Sequence, residues 1–158
     1  FTKISGGGVT TRSNSPSGNV SAGGKRFLTD QNCRIDKAGN LLKVNFASWN
    51  DPCYLCVMCP AATAVSDAFK GGATWSVKKA WLVPNGASTF STGGYAVSVG
   101  DYLGIYSFGG GGISVLRQGA TASEFCLYSP EYASTGQASF TVATLMANVM
   151  ANFGWEIE

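Results

Sequence analysis

The sequence predicts an all-β chain, an antiparallel β-sandwich or jelly roll, and three observations carry that prediction. Apolar residues recur at every second position in short segments. Gly, Pro, Asn and Ser interrupt those segments about every 8 to 12 residues, the spacing of sandwich strands. No internal repeat points to a solenoid or propeller. The 158 residues suit one domain, and 45% apolar against 13% charged residues supplies core material with little ionic surface. Disorder along the whole length is excluded on the same grounds.

Residues 1–24 contain Gly6-Gly7-Gly8, Ser13 to Gly18 and Gly23-Gly24, with Ile4, Val9 and Val20 the only aliphatics larger than Ala. Such a stretch buries too little to order itself and reads as a linker or irregular arm, with the sandwich domain over 25–158. Leu42, Val44 and Phe46 alternate with Lys43 and Asn45, and Trp75, Val77, Trp81 and Val83 share a parity that Lys79 interrupts. Both read as strands, the second with its apolar side chains on one face. Between them, Ala61 to Phe69 is the one helix candidate, of one or two turns. Tyr95, Val97 and Val99 alternate with small residues, Gly100-Asp101 supplies a turn, and Leu103 and Ile105 resume, a hairpin-like pattern. Ile113 to Leu116 and Glu124 to Tyr128 follow as short strands. The terminal segment is the clearest: Leu145, Ala147, Val149, Ala151, Phe153, Trp155 and Ile157 fall on one parity. As one strand it would run roughly 43 Å at about 3.3 Å per residue, so a bend is expected near Gly154. Phe140 and Val142 lie on the other parity, which predicts a bulge or corner near Thr144.

Histidine is absent, which removes Ser-His-Asp and Cys-His catalysis, imidazole-bound zinc and the facial-triad iron site. The net charge of +2 is scattered, its densest clusters being Lys25-Arg26 and Lys78-Lys79, so no nucleic-acid partner is expected. No apolar run approaches the roughly 18–20 residues of a membrane span, and no membrane insertion is expected. The first residue is Phe1, which suits a processed chain or a fragment.

Cys53, Cys56 and Cys59 form two consecutive C-x-x-C spacings, and Cys33 or Cys126 would have to complete a zinc or iron–sulfur site. On a strand, however, Cys53 and Cys59 share a face that Cys56 does not, so the three cannot converge. Buried free thiols or a single disulfide are the expectation, with no metal and no cofactor. Asp101 with Glu124, or with Glu131, would make a glycosidase pair, but no spacing supports either pairing. Asp101 follows Gly100 at a turn and is expected to accept local backbone N–H bonds. A calcium site on Asp101 or Asp67 has no supporting pattern.

Aromatic residues make up 12% of this weakly charged chain. Trp75, Trp81 and Trp155 are in phase with aliphatic neighbours and read as packing. Trp49, Tyr102, Tyr106 and Tyr132 fall beside Asn50-Asp51, Asp101, Ser107 and Pro130-Glu131, positions expected at loop edges. Rings beside polar donors and acceptors suit a sugar, whose C–H face stacks while its hydroxyls need partners. Trp49, Asp101, Tyr102, Tyr106, Arg117 and Tyr132 are therefore the candidate ligand-binding residues.

The run Val97-Ser98-Val99-Gly100-Asp101-Tyr102-Leu103-Gly104-Ile105-Tyr106-Ser107, followed by glycines and Ile113-Ser114-Val115, resembles a segment of β-sandwich modules. Such modules occur in the C-terminal parts of bacteriophage tail fibres and tailspikes and in secreted carbohydrate-active proteins. The likeness covers about 20 residues, and the cysteine cluster lies outside it. It implies a jelly-roll module that recognises surface glycans, often as a homotrimer beyond a fibrous shaft, on a virion or outside the cell. The leading expectation is thus a non-catalytic module that binds a host polysaccharide or glycan. A structural, trimer-forming fibre or virion surface domain is the alternative, with Met146, Asn148, Met150 and Asn152 facing sister chains. A polysaccharide-degrading enzyme, working without histidine, is the third.

Overall fold

A computed structural model describes residues 4–6, 19–21, 25–46, 53–84, 86, 89–107, 112–116, 125–130, 136–147, 150–151 and 153–158. The chain is an all-β sandwich in which every described strand pair is antiparallel. A four-stranded sheet runs in the order β1 (Ile4–Gly6), β14 (Phe153–Ile157), β4 (Gly39–Phe46) and β7 (Thr89–Val97). A seven-stranded sheet runs β11 (Ser139–Thr141), β6 (Thr74–Val83), β5 (Cys53–Pro60), β8 (Tyr102–Ser107), β3 (Phe27–Asp30), β10 (Phe125–Tyr128) and β12 (Thr144–Ala147). Three short strands, β13 (Met150–Ala151), β9 (Gly112–Leu116) and β2 (Asn19–Ser21), form a third sheet. Within the Gly- and Ser-rich stretch 1–24, β1 pairs with β14 and β2 with β9.

The seven-stranded sheet carries a buried cluster on each face. Between it and the four-stranded sheet lie Leu28, Leu41, Val44, Leu55, Leu103, Ile105, Trp155 and Ile157. On its other face an aromatic cluster of Phe27, Phe69, Trp75, Tyr102, Tyr106 and Phe140 packs with Cys56 and Met58. The central strand β8 is consequently buried along all six residues, as a strand covered from both sides must be. Gly104 marks the tightest point. A Cβ there would lie well inside van der Waals contact of Met58 Cε and the Leu28 carbonyl oxygen, and 3.0 Å from Thr29 Cβ.

The shared parity of Trp75, Val77, Trp81 and Val83 does not place them on one face. Val57 pairs with Lys79 but Met58 pairs with Val77, so β6 carries one extra residue, Lys78. That bulge reverses the alternation: Trp75 and Val77 join the aromatic cluster, while Val83 and the half-buried Trp81 face the inter-sheet core. The packing roles expected of Trp75, Trp81 and Trp155 hold on these two faces.

The terminal alternation is divided among three sheets, as β12, β13 and β14. A single strand of that length overruns a small layer, so the chain crosses from sheet to sheet, and in β14 Trp155 and Ile157 keep the alternation in the inter-sheet core. Gly154 itself lies inside β14 opposite Asn45, and the irregularity near it is a shift in the pairing with β4 between Glu156 and Ile157. The corner expected near Thr144 is present between the end of β11 at Thr141 and the start of β12, with Phe140 and Val142 buried. The helix candidate yields one turn, α1 (Val65–Ala68).

Candidate functional site

Chain segments at one end of the seven-stranded sheet enclose a cleft of about 230 Å³. One wall is the turn that leads into β8. Asp101 N–H donates to the Ser98 carbonyl at 3.1 Å, and Gly100 has φ +92°, as at the third position of a type II turn. A side chain there would be strained, which explains the glycine. Asp101 locks the turn: its carboxylate accepts the Ser98 N–H at 2.8 Å and the Lys78 ammonium at 2.6 Å. The β6 bulge that adds Lys78 thus also brings its charge to the turn.

Arg34 enters the cleft because its segment is stapled to the same turn. Ile35 N–H donates to the Asp101 carbonyl at 2.7 Å, Gly100 N–H donates to the Ile35 carbonyl at 2.9 Å, and Arg34 bridges to Tyr102. The opposite wall is the stretch Cys59 to Val65 with Ala68, where β5 ends at Pro60 and α1 begins. Ala61 N–H donates to the Thr74 carbonyl at 2.9 Å, and Trp75 Nε1–H donates to the Ala68 carbonyl at 3.0 Å, fixing this wall to β6. Tyr102 forms part of the floor. Its ring sits among Trp75 at 4.9 Å and Phe69 at 5.6 Å between centroids. Val65 and Val99, 40% and 55% exposed, flank the opening.

The electrostatics are simple. Among the described residues Arg34 is the one charged group lining the cleft. Burial pushes the Tyr102 phenol up from its ordinary value, partly offset by the Arg34 charge, so the hydroxyl stays neutral at physiological pH. The Cys59 thiol is raised by burial and then by the Asp101 charge, which disfavours thiolate and a nucleophilic role. Burial pushes the Cys56 thiol far up.

The expected ligand-binding residues separate into three groups. Gly100-Asp101-Tyr102 borders the cleft, although Asp101 acts through the turn, as its place after Gly100 suggests. Tyr102 and Tyr106 are not loop-edge rings: they are 2% and 1% exposed on β8, because the second face of the sheet is covered and takes them as packing. No stacking surface is left on Tyr106. Trp49, Arg117 and Tyr132, with Glu124 and Glu131, lie outside the described residues.

Cys33, Cys53, Cys56 and Cys59 are free thiols, and Cys126 is described only through its backbone in β10. Cys33 and Cys53 lie in the inter-sheet core while Cys56 lies in the aromatic cluster, so the C-x-x-C spacings do not converge. Among the described residues no three His, Cys, Asp or Glu side chains form a metal-binding group. Sequence reasoning did not anticipate Arg34, Thr63, Val65 or Val99. Val99 just before a Gly-Asp turn, past the last paired residue of its strand, was the available signal; a lone arginine carried none. Compared with protein-family models, curated proteins and solved structures, the chain matches none.

Proposed function

We propose that the chain is a non-catalytic recognition module of a phage tail fibre or tailspike, attaching a virion to a host-surface glycan or polysaccharide at the Arg34–Tyr102 cleft. The observation that supports this reading is that the turn carrying the fibre-module resemblance is also a wall of the cleft. Small and apolar residues with a few polar groups line it, the composition of a ligand site. At about 230 Å³ it falls below the roughly 300–1,000 Å³ of sites for drug-sized ligands, which suits one sugar ring of a longer chain. Asp101, paired with Lys78, is committed to structure and not poised as a glycosidase acid. Binding on a glycan array that disappears with Val99→Asp, while the thermal midpoint is retained, is the expected result. An array without any binder refutes the reading.

A structural, homotrimer-forming role is favoured by one separate observation. β11 covers β6 only at Thr74–Ser76, and among the described residues no strand pairs with the outer edge of Lys78–Val83, where Leu82 is 55% exposed. Mass in solution tests it: a trimer that dissociates with Leu82→Lys and binds no glycan supports this role over recognition.

A further inference from the structure

We infer that the cleft selects a sugar acid, a ring carrying a carboxylate such as a uronate, over neutral sugars, with Arg34 receiving the carboxylate. This rests on the glycan-binding reading of the same cleft and names its ligand class.

Three observations carry it. First, Arg34 makes no ion pair among the described residues, where the ion pairs are Lys43–Glu156, Lys70–Asp67 and Lys78–Asp101. Secondly, nothing in the lining opposes that charge. Among the described residues no carboxylate lines the cleft; the nearby Asp101 is paired with Lys78 at 2.6 Å, and the Asp101 and Asp30 charges reach the lining only from behind Cys59 and Tyr102. An arriving anion meets one cation and no carboxylate among the described residues of the lining. Thirdly, the remainder of the cleft suits the rest of the ring. Val65 and Val99 are two of the three exposed large hydrophobics among the described residues, and both flank this opening. They offer a surface to C–H groups, and Thr63, also in the lining, brings a hydroxyl for a ring oxygen or hydroxyl.

Carboxylate is favoured over a tetrahedral anion because a single guanidinium presents a planar fork that matches two carboxylate oxygens. A sulfate or phosphate would leave an oxygen without a charged donor. Arg34 is exposed and its backbone is fixed by the bonds of Ile35 to the turn, so its replacement leaves the fold in place.

The test uses oligosaccharides of alternating glucuronic acid and N-acetylhexosamine, the same oligosaccharides after reduction of the carboxyl to a primary alcohol, and polyglutamate. The acidic oligosaccharide is expected to bind at least about tenfold more tightly than its reduced form, the difference made by one charge-assisted pair. Arg34→Gln is expected to erase that preference, Arg34→Lys to restore only part of it, and polyglutamate to bind neither protein. Equal binding of acidic and reduced forms, unchanged in Arg34→Gln, overturns the inference and leaves glycan recognition standing. Polyglutamate binding as strong as the acidic sugar overturns it as well, because charge alone would then suffice. Failure of every oligosaccharide, with the full glycan array also blank, removes both readings.

Discussion

Replacing Lys78 with Met probes the cleft wall through the ion pair that holds it. The Asp101 side chain is 2% exposed and that of Lys78 is 38% exposed, so the pair is asymmetric. Lys78→Met keeps most of the stem volume but leaves a buried carboxylate with the Ser98 N–H and water that follows the vacated path. Removing one partner of a fully buried pair costs about 3–5 kcal/mol, and an exposed pair contributes about 0–1 kcal/mol. With one end buried and the other wet, the expected loss is about 2 kcal/mol, discounted for the water that reaches Lys78. For a chain of this size that lowers Tm by roughly 4–8 °C. The hydrogen bond to Asp101 is also the main cause that holds the Lys78 pKa above its ordinary 10.5. A raised lysine pKa stabilises fully below the unfolded value and ceases to as pH rises through the folded one. Urea midpoints of wild type and Lys78→Met should therefore differ by a constant amount from neutral pH to about pH 9.5 and converge at more alkaline pH. A difference below about 0.5 kcal/mol at neutral pH, or convergence already by about pH 8, would refute the assignment.

Gly104→Ala should destabilise by about 3 kcal/mol in urea unfolding, the upper end of overpacking costs, because the Leu28 carbonyl and Met58 leave no room for a methyl; a change under about 0.5 kcal/mol would mean that β3 and β8 are spaced differently. Alkylation of the native protein should reach Cys59 before Cys33, Cys53 and Cys56, which are 0–3% exposed, and peptide mapping after brief labelling reads the order. Lys78→Met should slow labelling of Cys59 at fixed pH, since the ammonium charge lowers that thiol's pKa and its removal reduces the thiolate fraction.

The alternation of apolar residues was enough to read the sandwich and the corner near Thr144, because burial of one face imposes a period of two on the sequence. Faces were harder to read than strands. Trp75 and Trp81 share a parity yet face opposite ways, since one inserted residue at Lys78 inverts everything beyond it and nothing in the alternation records an insertion. Tyr102 and Tyr106 were misplaced at the rim for a related reason: polar neighbours marked them as edge residues, while Trp75 and Phe140 from other strands of the same sheet, with Phe69 of the segment after β5, come from distant positions to pack against them. The Gly100-Asp101 turn was legible because backbone geometry demands glycine and a short acceptor there. Arg34 was not, because its place depends on the pairing of Ile35 with that turn, a contact across more than sixty positions of sequence.

The most direct measurement follows backbone amide resonances of the isotope-labelled chain while a glycan that binds it is titrated in. Shifts are expected to concentrate at Arg34, Ala61 to Val65 and Val99 to Tyr102, and Arg34→Gln and Val99→Asp to weaken the titration. Shifts confined to the far end of the sandwich or to the outer edge of β6, with the cleft amides unmoved, would contradict binding at the cleft.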